Sequence, residues 1–433
     1  MVFVYNTPIR RRGSTTITIK HMNKKRPIYL DYHATTPVRE EVLTAMLPFL
    51  TEQFGNPASR THEYGLEAQN AVEGARAAIA AGIGAKSESE VVFVSGATEA
   101  NNLALRGLVK HLQASGRTHI ITTAVEHKSV LDTCAALQRD HGIEVSYLPV
   151  NSDGSLDLAL LERTASAKTG LISVMAANNE VGTIYPIPEI GRIAERVGAL
   201  LHVDAALALG KAALNVEADG IHLLSISGHK VYGPKGIGAL YVRRRRPRVE
   251  LQPIITGGGH ENGLRSGTLS TPLIAALGEA VRLSVQEMKK SHVRLSSLRD
   301  QLLEGLKKKC PSVLVNGTMD ARLPNNLNVS FPGVDSEALM LSLRDSIAVS
   351  NGSACTAADW KSSYVLKAMG LDEARARGAI RFSVGIPTTA AEIDATIELF
   401  AEKVAGLQSM GTRRLSQSTE LAARALKSDH SSN

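Results

Sequence analysis

The chain has 433 residues, enough to bury a large core and to hold two domains. It is 43% hydrophobic and 21% charged, as in an ordinary globular protein, and no apolar run approaches the roughly 20 residues of a membrane-spanning helix. The formal net charge of +7 raises nucleic acid as a partner, but aromatics are only 4% and none interleave with the basic run Arg243 to Arg248, so Arg243 to Arg246 read as a solvated edge that could face an acidic protein partner, ahead of nucleic acid.

In chain order, residues 1–25 carry Arg10, Arg11, Arg12, Lys20, Lys24 and Lys25 and no acid. Two readings stand: an organelle transit segment, or an extension ahead of a start at Met22, which is preferred. Residues 28–31 read as a short strand, 40–54 as a helix, and 66–83 as an alanine-rich helix ended by Gly82 and Gly84. Strands and helices then alternate. Strands are predicted at 91–94, 119–123, 145–148, 171–175 and 201–203, and helices at 98–114, 129–141 and 188–198. The alternation predicts an α/β fold with a mostly parallel sheet covered on both faces, whose ligands sit at the carboxyl ends of the strands. A long helical pattern over 276–309 leads to a smaller α+β domain with strands near 327–331 and 380–384 and helices at 336–343 and 390–407. The expected division is an extension at 1–25, an arm at 26–39 joining the small domain, a large domain at 40–285, a small C-terminal domain at 286–409 and a flexible tail at 410–433.

Three cysteines, Cys134, Cys310 and Cys355, lie far apart, which points to a reducing compartment rather than a disulfide framework. None of their spacings is that of a zinc site, and no metal is expected.

The stretch Leu223 to Val242, LLSISGHKVYGPKGIGALYV, sets Lys230 between two buried strands on a glycine-rich loop. A buried ammonium is costly, and burial shifts it toward the neutral amine that a Schiff base requires. Alone, Lys230 would pass for a surface residue. The segment resembles, however, the cofactor-lysine segment of class V aminotransferase-like enzymes, and within them it is similar to the cysteine desulfurases that serve iron–sulfur cluster assembly. DYHATTP, FGNPAS, SGATEANN, EHKSV, NNEVG, HVDA, GGGHENGLRSGT, NGSACTA and IRFSVG follow in that family's order, over about 26–407.

The resemblance implies a fold-type I transferase that binds pyridoxal 5'-phosphate through Lys230. It places the cofactor phosphate on Ala97 and Thr98, at a helix N-terminus, with Ser227, Gly228 and His229. Thr268 of RSGT would reach a neighbouring subunit's phosphate, implying a homodimer. Asp204 would pair with the pyridine nitrogen, His127 would stack on the ring and move protons, and Asn179 would lie near the phenolic oxygen and the substrate. Arg381 would grip the substrate carboxylate with its planar fork. Taken singly, most of these residues would pass for caps or salt-bridge partners. Cys355, in a small-residue segment, would be the nucleophile that takes the sulfur as a persulfide, while Cys134 and Cys310 match no such motif. One departure stands out: the family's glutamine three positions after the cofactor aspartate is here Leu207, which cannot donate a hydrogen bond.

The expected activity is conversion of L-cysteine to L-alanine with sulfur passed to Cys355 and on to a sulfur-acceptor or iron–sulfur scaffold protein, in the cytoplasm, or in an organelle if the basic leader is a transit segment. No nucleic acid or membrane is expected. Two alternatives remain: another class V enzyme such as an aminotransferase or selenocysteine lyase, or a weakly active or inactive sulfur-transfer scaffold, to which Leu207 points.

Overall fold

The computed structural model of the chain describes residues 26–352 and 362–429. Strands β1 (Ile28–Tyr29), β2 (Val91–Val94), β3 (His119–Thr123), β4 (Glu144–Leu148), β5 (Thr169–Met175), β6 (Leu200–Asp204), β7 (Leu223–Ser227), β8 (Gly238–Val242), β9 (Leu314–Val315), β10 (Asn326–Ser330), β11 (Ile347–Ala348) and β12 (Ala379–Ser383) run along it. A seven-stranded sheet has the order β2-β8-β7-β6-β5-β3-β4. Strands β4, β3, β5, β6 and β7 pair in parallel, and β8 is antiparallel to both its neighbours. The expected α/β class and mostly parallel sheet are present.

Why the sheet is double-sided is plain in β2. Val91 and Phe93 join one core cluster, while Val92 and Val94 join another on the opposite face. Strands β5, β6 and β7 are buried at every position, which calls for the near-continuous apolar runs they carry. Each large aliphatic side chain so buried contributes about 1.5–3 kcal/mol.

A separate core cluster holds the C-terminal part together. There the antiparallel sheet β12-β10-β9 packs with the helices Met288–Lys309 and Ala390–Asp429, and Phe382 and Phe400 lie 4.8 Å apart between ring centroids. The N-terminal arm belongs with this part: β1 pairs in parallel with β11, and Leu30 is buried in the same cluster.

Three predicted helices are each two. The stretch 40–54 divides into Glu40–Met46 and Pro48–Thr51, because Pro48 has no N–H for the ladder and starts a new first turn. The stretch 98–114 divides at Leu108 into Ala97–Gly107 and Val109–Ala114, next to Gly107, where a Cβ would meet the Gln252 carbonyl at 2.9 Å. The stretch 276–309 divides at Glu287 into Thr271–Gln286 and Met288–Lys309; the Glu287 carboxylate is held by Arg39 of the arm at 2.7 Å. The last helix was expected to end near 407 with a frayed tail at 410–433. It runs on to Asp429 instead, as the good helix formers in LAARALK favour. Residues 1–25 and Cys355 lie outside the described residues.

Candidate active site

Lys230 ends the short 3-10 turn Gly228–Lys230 that follows β7. Its Nζ donates to the carbonyls of His33 and Ala34, the latter at 2.9 Å. The arm therefore wraps the lysine. Thr36 adds to the wrap: its N–H and its hydroxyl both donate to the His229 carbonyl at 3.0 Å, and its Oγ1 accepts from the Tyr232 N–H at 2.9 Å. Tyr232 needs this support, since it sits at φ 64°, where a bulky residue is strained. Lys211 Nζ donates to the Lys230 carbonyl at 2.9 Å, so a second amine lies close by, and burial, then Lys230, push it down to about 7. Burial, then the charges of Lys230 and Lys235, push His229 down to about 4, so its ring is neutral.

The helix Ala97–Gly107 opens onto the same space. Its N-cap, Gly96, supplies no side-chain acceptor, so the first N–H groups of the helix are not capped from within. The sheet presses close here: a Cβ at Gly238 would meet the Ile226 carbonyl at 2.4 Å and Gly96 Cα at 2.7 Å. An uncapped turn held against a sheet edge, beside Ser227 and His229, is a cradle for an anion.

Asp204 closes β6 at its carboxyl end. Its Oδ1 accepts from the Ala206 N–H at 2.9 Å and its Oδ2 from the Asn101 amide at 2.8 Å. Asn101 Nδ2 also donates to Ser129 Oγ at 2.8 Å, which lies 2.8 Å from His127 Nδ1. His127 Nδ1 accepts from the Ser129 N–H as well, so in the neutral ring Nε2 carries the proton. Asp204 and His127 are thus tied through Asn101 and Ser129, neither of which sequence reasoning singled out.

The opposite wall comes from far away in the chain. Arg381, on β12, is 4% exposed; its Nη2 donates to Asp31 Oδ1 at 2.7 Å and its Nη1 to the Asn179 carbonyl at 3.0 Å. Among the described residues its buried Nε–H has no acceptor, and the buried Asn179 Oδ1 has no donor. Two orphaned groups of opposite sense on one wall are capacity left for a ligand carrying a carboxylate and a donor. His33 Nδ1 lies 3.2 Å from the same Asn179 carbonyl, and its Nε2 lies 3.2 Å from Asn325 Oδ1. Full burial, then Arg381, keep His33 well below its usual range, so it is neutral. Behind Asn179, the buried Glu180 carboxyl accepts from the Ser363 hydroxyl, and a Cβ at Gly352 would meet its Oε2 at 2.6 Å. Gly352 and Ser363 thus both lie at this one carboxyl.

A cavity of about 550 Å³ joins these pieces. Ala97, Thr98, His127, Asn179, Asp204, Leu207, Ser227, His229, Lys230 and Arg381, all singled out from the sequence, line it. Gly228 does not; it is packed beneath the lysine, where a Cβ would lie 3.0 Å from the Pro234 carbonyl. Thr268 does not either, and is exposed on the loop after the Glu261–Gly263 turn. Cys134 and Cys310 are buried and free, and burial pushes the Cys134 thiol up to about 12, so neither is poised as a nucleophile. Among the described residues no group of His, Cys, Asp and Glu could hold a metal ion, and no helix is long and apolar enough to cross a membrane.

The residue set fits a phosphorylated aromatic aldehyde. An uncapped helix turn can hold a phosphate, a carboxylate at a strand end can face a ring nitrogen, and an amine can reach the aldehyde carbon. The comparisons agree. The model of the class-V aminotransferase family matches residues 28–396. The cysteine desulfurase IscS of Anaeromyxobacter sp. (strain K) is 50% identical over 386 residues, covering 89% of this chain and 94% of that protein. The mitochondrial cysteine desulfurase of Arabidopsis thaliana is 49% identical over 385 residues, covering 89% of this chain and 84% of that one. A solved structure described as a NifS-like protein superposes with a TM-score of 0.81 at 37% identity, over 88% of this chain and 100% of that chain.

Proposed function

We propose that this chain, which belongs to the class-V aminotransferase family, is a pyridoxal-phosphate-dependent cysteine desulfurase that releases L-alanine from L-cysteine and retains the sulfur on Cys355. The supporting observation is the convergence of Lys230, Asp204, the uncapped helix turn and Arg381 on one cavity. When bound, pyridoxal phosphate supplies an aldehyde carbon for the lysine and an electron-withdrawing ring beside the substrate's α-carbon.

The chain's own residues do the rest. The N–H groups of Ala97 and Thr98, with Ser227 and His229, hold the phosphate. Asp204, fixed by Asn101 and Ala206, presents its carboxylate to the ring nitrogen. Arg381 binds the substrate carboxylate through its open Nε–H edge, with Asp31 holding the guanidinium in place. Lys230, freed from the carbonyls of His33 and Ala34, moves the α-proton, and His127 acts as a proton carrier through Nε2. Cys355 as thiolate attacks the substrate sulfur; the carbon–sulfur bond breaks, its electron pair stays with carbon, and a proton completes alanine. The enzyme is left with a persulfide whose outer sulfur passes to an acceptor protein, such as an iron–sulfur scaffold.

A homodimer suits this reading. Val38, Leu43, Leu50, Phe54, Tyr64 and Leu66 are large, exposed and concentrated within residues 38–66, with the Phe54 and Tyr64 rings 5.3 Å apart, an apolar face that a second copy would cover. Thr268 would then serve the neighbour's phosphate. A bacterial-type cytoplasmic setting is the matching location.

The test is alanine and sulfide release from L-cysteine in the presence of a thiol reductant. Both products are expected in equal amounts, and Cys355→Ala is expected to lose sulfide release by at least about a thousandfold. An aminotransferase would keep its turnover in that variant, and a scaffold would release neither product from the unmodified chain.

A further inference from the structure

Glu99 sits where a phosphate site should not want it. It lies in the first turn of the helix Ala97–Gly107, lines the cavity, and is one-tenth exposed. Its Oε2 accepts from the Ser95 N–H at 2.7 Å, which keeps the carboxylate at the mouth of the turn. A bare carboxylate there would repel a dianion and cancel what the helix terminus contributes.

Arg265 answers it. Its Nε donates to Glu99 Oε1 at 2.9 Å, and its Nη2 lies 3.5 Å from Oε2. Burial pushes Glu99 up, but the Arg265 fork and the Ser95 N–H outweigh it and hold the carboxyl below its usual range. Arg265 is itself firmly placed. The loop that carries it is rooted by Glu261, whose carboxylate takes both Nη atoms of buried Arg76 at 2.8 Å and the Phe93 N–H at 2.7 Å. Glu261 and Asn262 sit at φ 52° and 55°, a strained path that the root must enforce. The same loop continues to Thr268, three residues on.

We infer that Arg265 is a positioning residue for phosphate recognition: by pairing with Glu99 it neutralises a carboxylate in the turn that receives the phosphate, and so lets that turn hold a dianion. This rests on the phosphate reading proposed above. Lys235 and His229 face the same space, but His229 is neutral and Lys235 is exposed, so Arg265 is the cation in contact with Glu99.

The test is equilibrium binding of pyridoxal 5'-phosphate and of pyridoxal, which lacks the phosphate, to the full-length chain freed of cofactor. Arg265→Gln is expected to weaken pyridoxal 5'-phosphate roughly tenfold or more and to leave pyridoxal within about twofold. Glu99→Gln alone should not weaken it, the double variant should regain most of the lost affinity, and Arg265→Lys should fall between. Rescue in the double variant is the decisive result, since a mere structural brace would make both single variants harmful and the double no better. Equal weakening of both ligands by Arg265→Gln, or no rescue, overturns the inference. If the unmodified chain shows no preference for the phosphorylated ligand, the phosphate reading itself falls, and this inference with it.

Discussion

The cavity has two walls made in different ways. On the sheet side, Ser227 to Lys230, Asp204, His127 and the turn at Ala97 each leave the carboxyl end of a strand of one sheet, and Asp204, His127 and Glu99 have holders a few residues away, while the Lys230 amine is held by the arm. Ser129 holds His127, Ala206 holds Asp204, and Ser95 holds Glu99. On the arm side, Arg381 depends on Asp31, 350 residues distant, and His33 on Asn325, 292 residues distant. Apart from the arm's contacts to the Lys230 segment, the sheet wall is preorganised by the one large sheet. The arm wall exists only once the arm, the Ala176 to Thr183 turn and the small domain have docked, so binding and docking are coupled more tightly there than on the sheet side.

Breaking the arm wall should have the largest effect. Arg381→Lys keeps a charge but loses the planar fork and leaves Asp31 and the Asn179 carbonyl poorly served. We expect a loss of about a hundredfold in kcat/KM for L-cysteine, roughly 3 kcal/mol, most of it in KM. Binding of the cofactor should change little, because the sheet wall is untouched. Cofactor titration beside steady-state kinetics separates the two; equal losses in both would mean that the walls are not independent.

The same division explains what was legible in the sequence. Sheet-wall residues stand in compact motifs directly after apolar runs, so EHKSV, HVDA and SGHK mark strand ends and their functional side chains together. The arm wall leaves no local trace of its partners. Asp31 and His33 were visible within DYHATTP, yet nothing nearby says that they meet Arg381 and Asn325. One signal was available: in β10 the residues Asn326, Asn328 and Ser330 alternate on one face of an otherwise apolar strand, and all are buried. Buried polar residues at period two announce a network, here the amides that donate to the Glu180 carbonyl at 3.1 and 3.2 Å. The helix break at Glu287 was hidden for the same reason, since its partner Arg39 lies in the arm. Asn101 was within the quoted SGATEANN, but its link to Asp204 needs the helix to lie across β6.

A second prediction concerns the sheet wall and stability. Glu126, beside His127, is fully buried; it accepts from Thr123 Oγ1 at 2.7 Å on one oxygen, and among the described residues its Oε2 has no hydrogen-bond partner. Burial, with a smaller push from Asp204, raises it to about 8. A carboxyl raised in the folded state keeps a proton that the unfolded chain has already lost. Stability therefore falls as pH rises from the ordinary carboxyl range, near 4.5, toward 8. Glu126→Gln should flatten that slope, and at pH 8 to 9 it should gain on the order of 2 kcal/mol relative to its position at pH 5. Thermal unfolding of both proteins from pH 5 to 9 reads this directly. Parallel curves would show that Glu126 does not titrate in the window and that its ionisation places no strain on the sheet wall.

The smallest expected effect sharpens the comparison at the place where the sheet wall departs from its family. Leu207 is 5% exposed, lines the cavity, and sits three residues beyond Asp204, where the resemblance implies an amide near the cofactor's phenolic oxygen. A hydrogen bond to a charged oxygen is worth roughly 1.5–3 kcal/mol, but Leu207 has been accommodated among apolar neighbours whose packing a glutamine would disturb. Asn179 lines the same cavity and its amide carries donors as well as an acceptor, which would reduce what the missing glutamine costs. We therefore expect Leu207→Gln to raise the rate of alanine formation by roughly threefold to tenfold, in kcat rather than KM, and to shift the absorbance of the bound cofactor. Combined with Asn179→Ala, the gain should grow, because the arm wall would no longer cover for the sheet wall. A gain of the same size in both backgrounds would mean that Asn179 gives no such cover, and that each wall meets the cofactor alone.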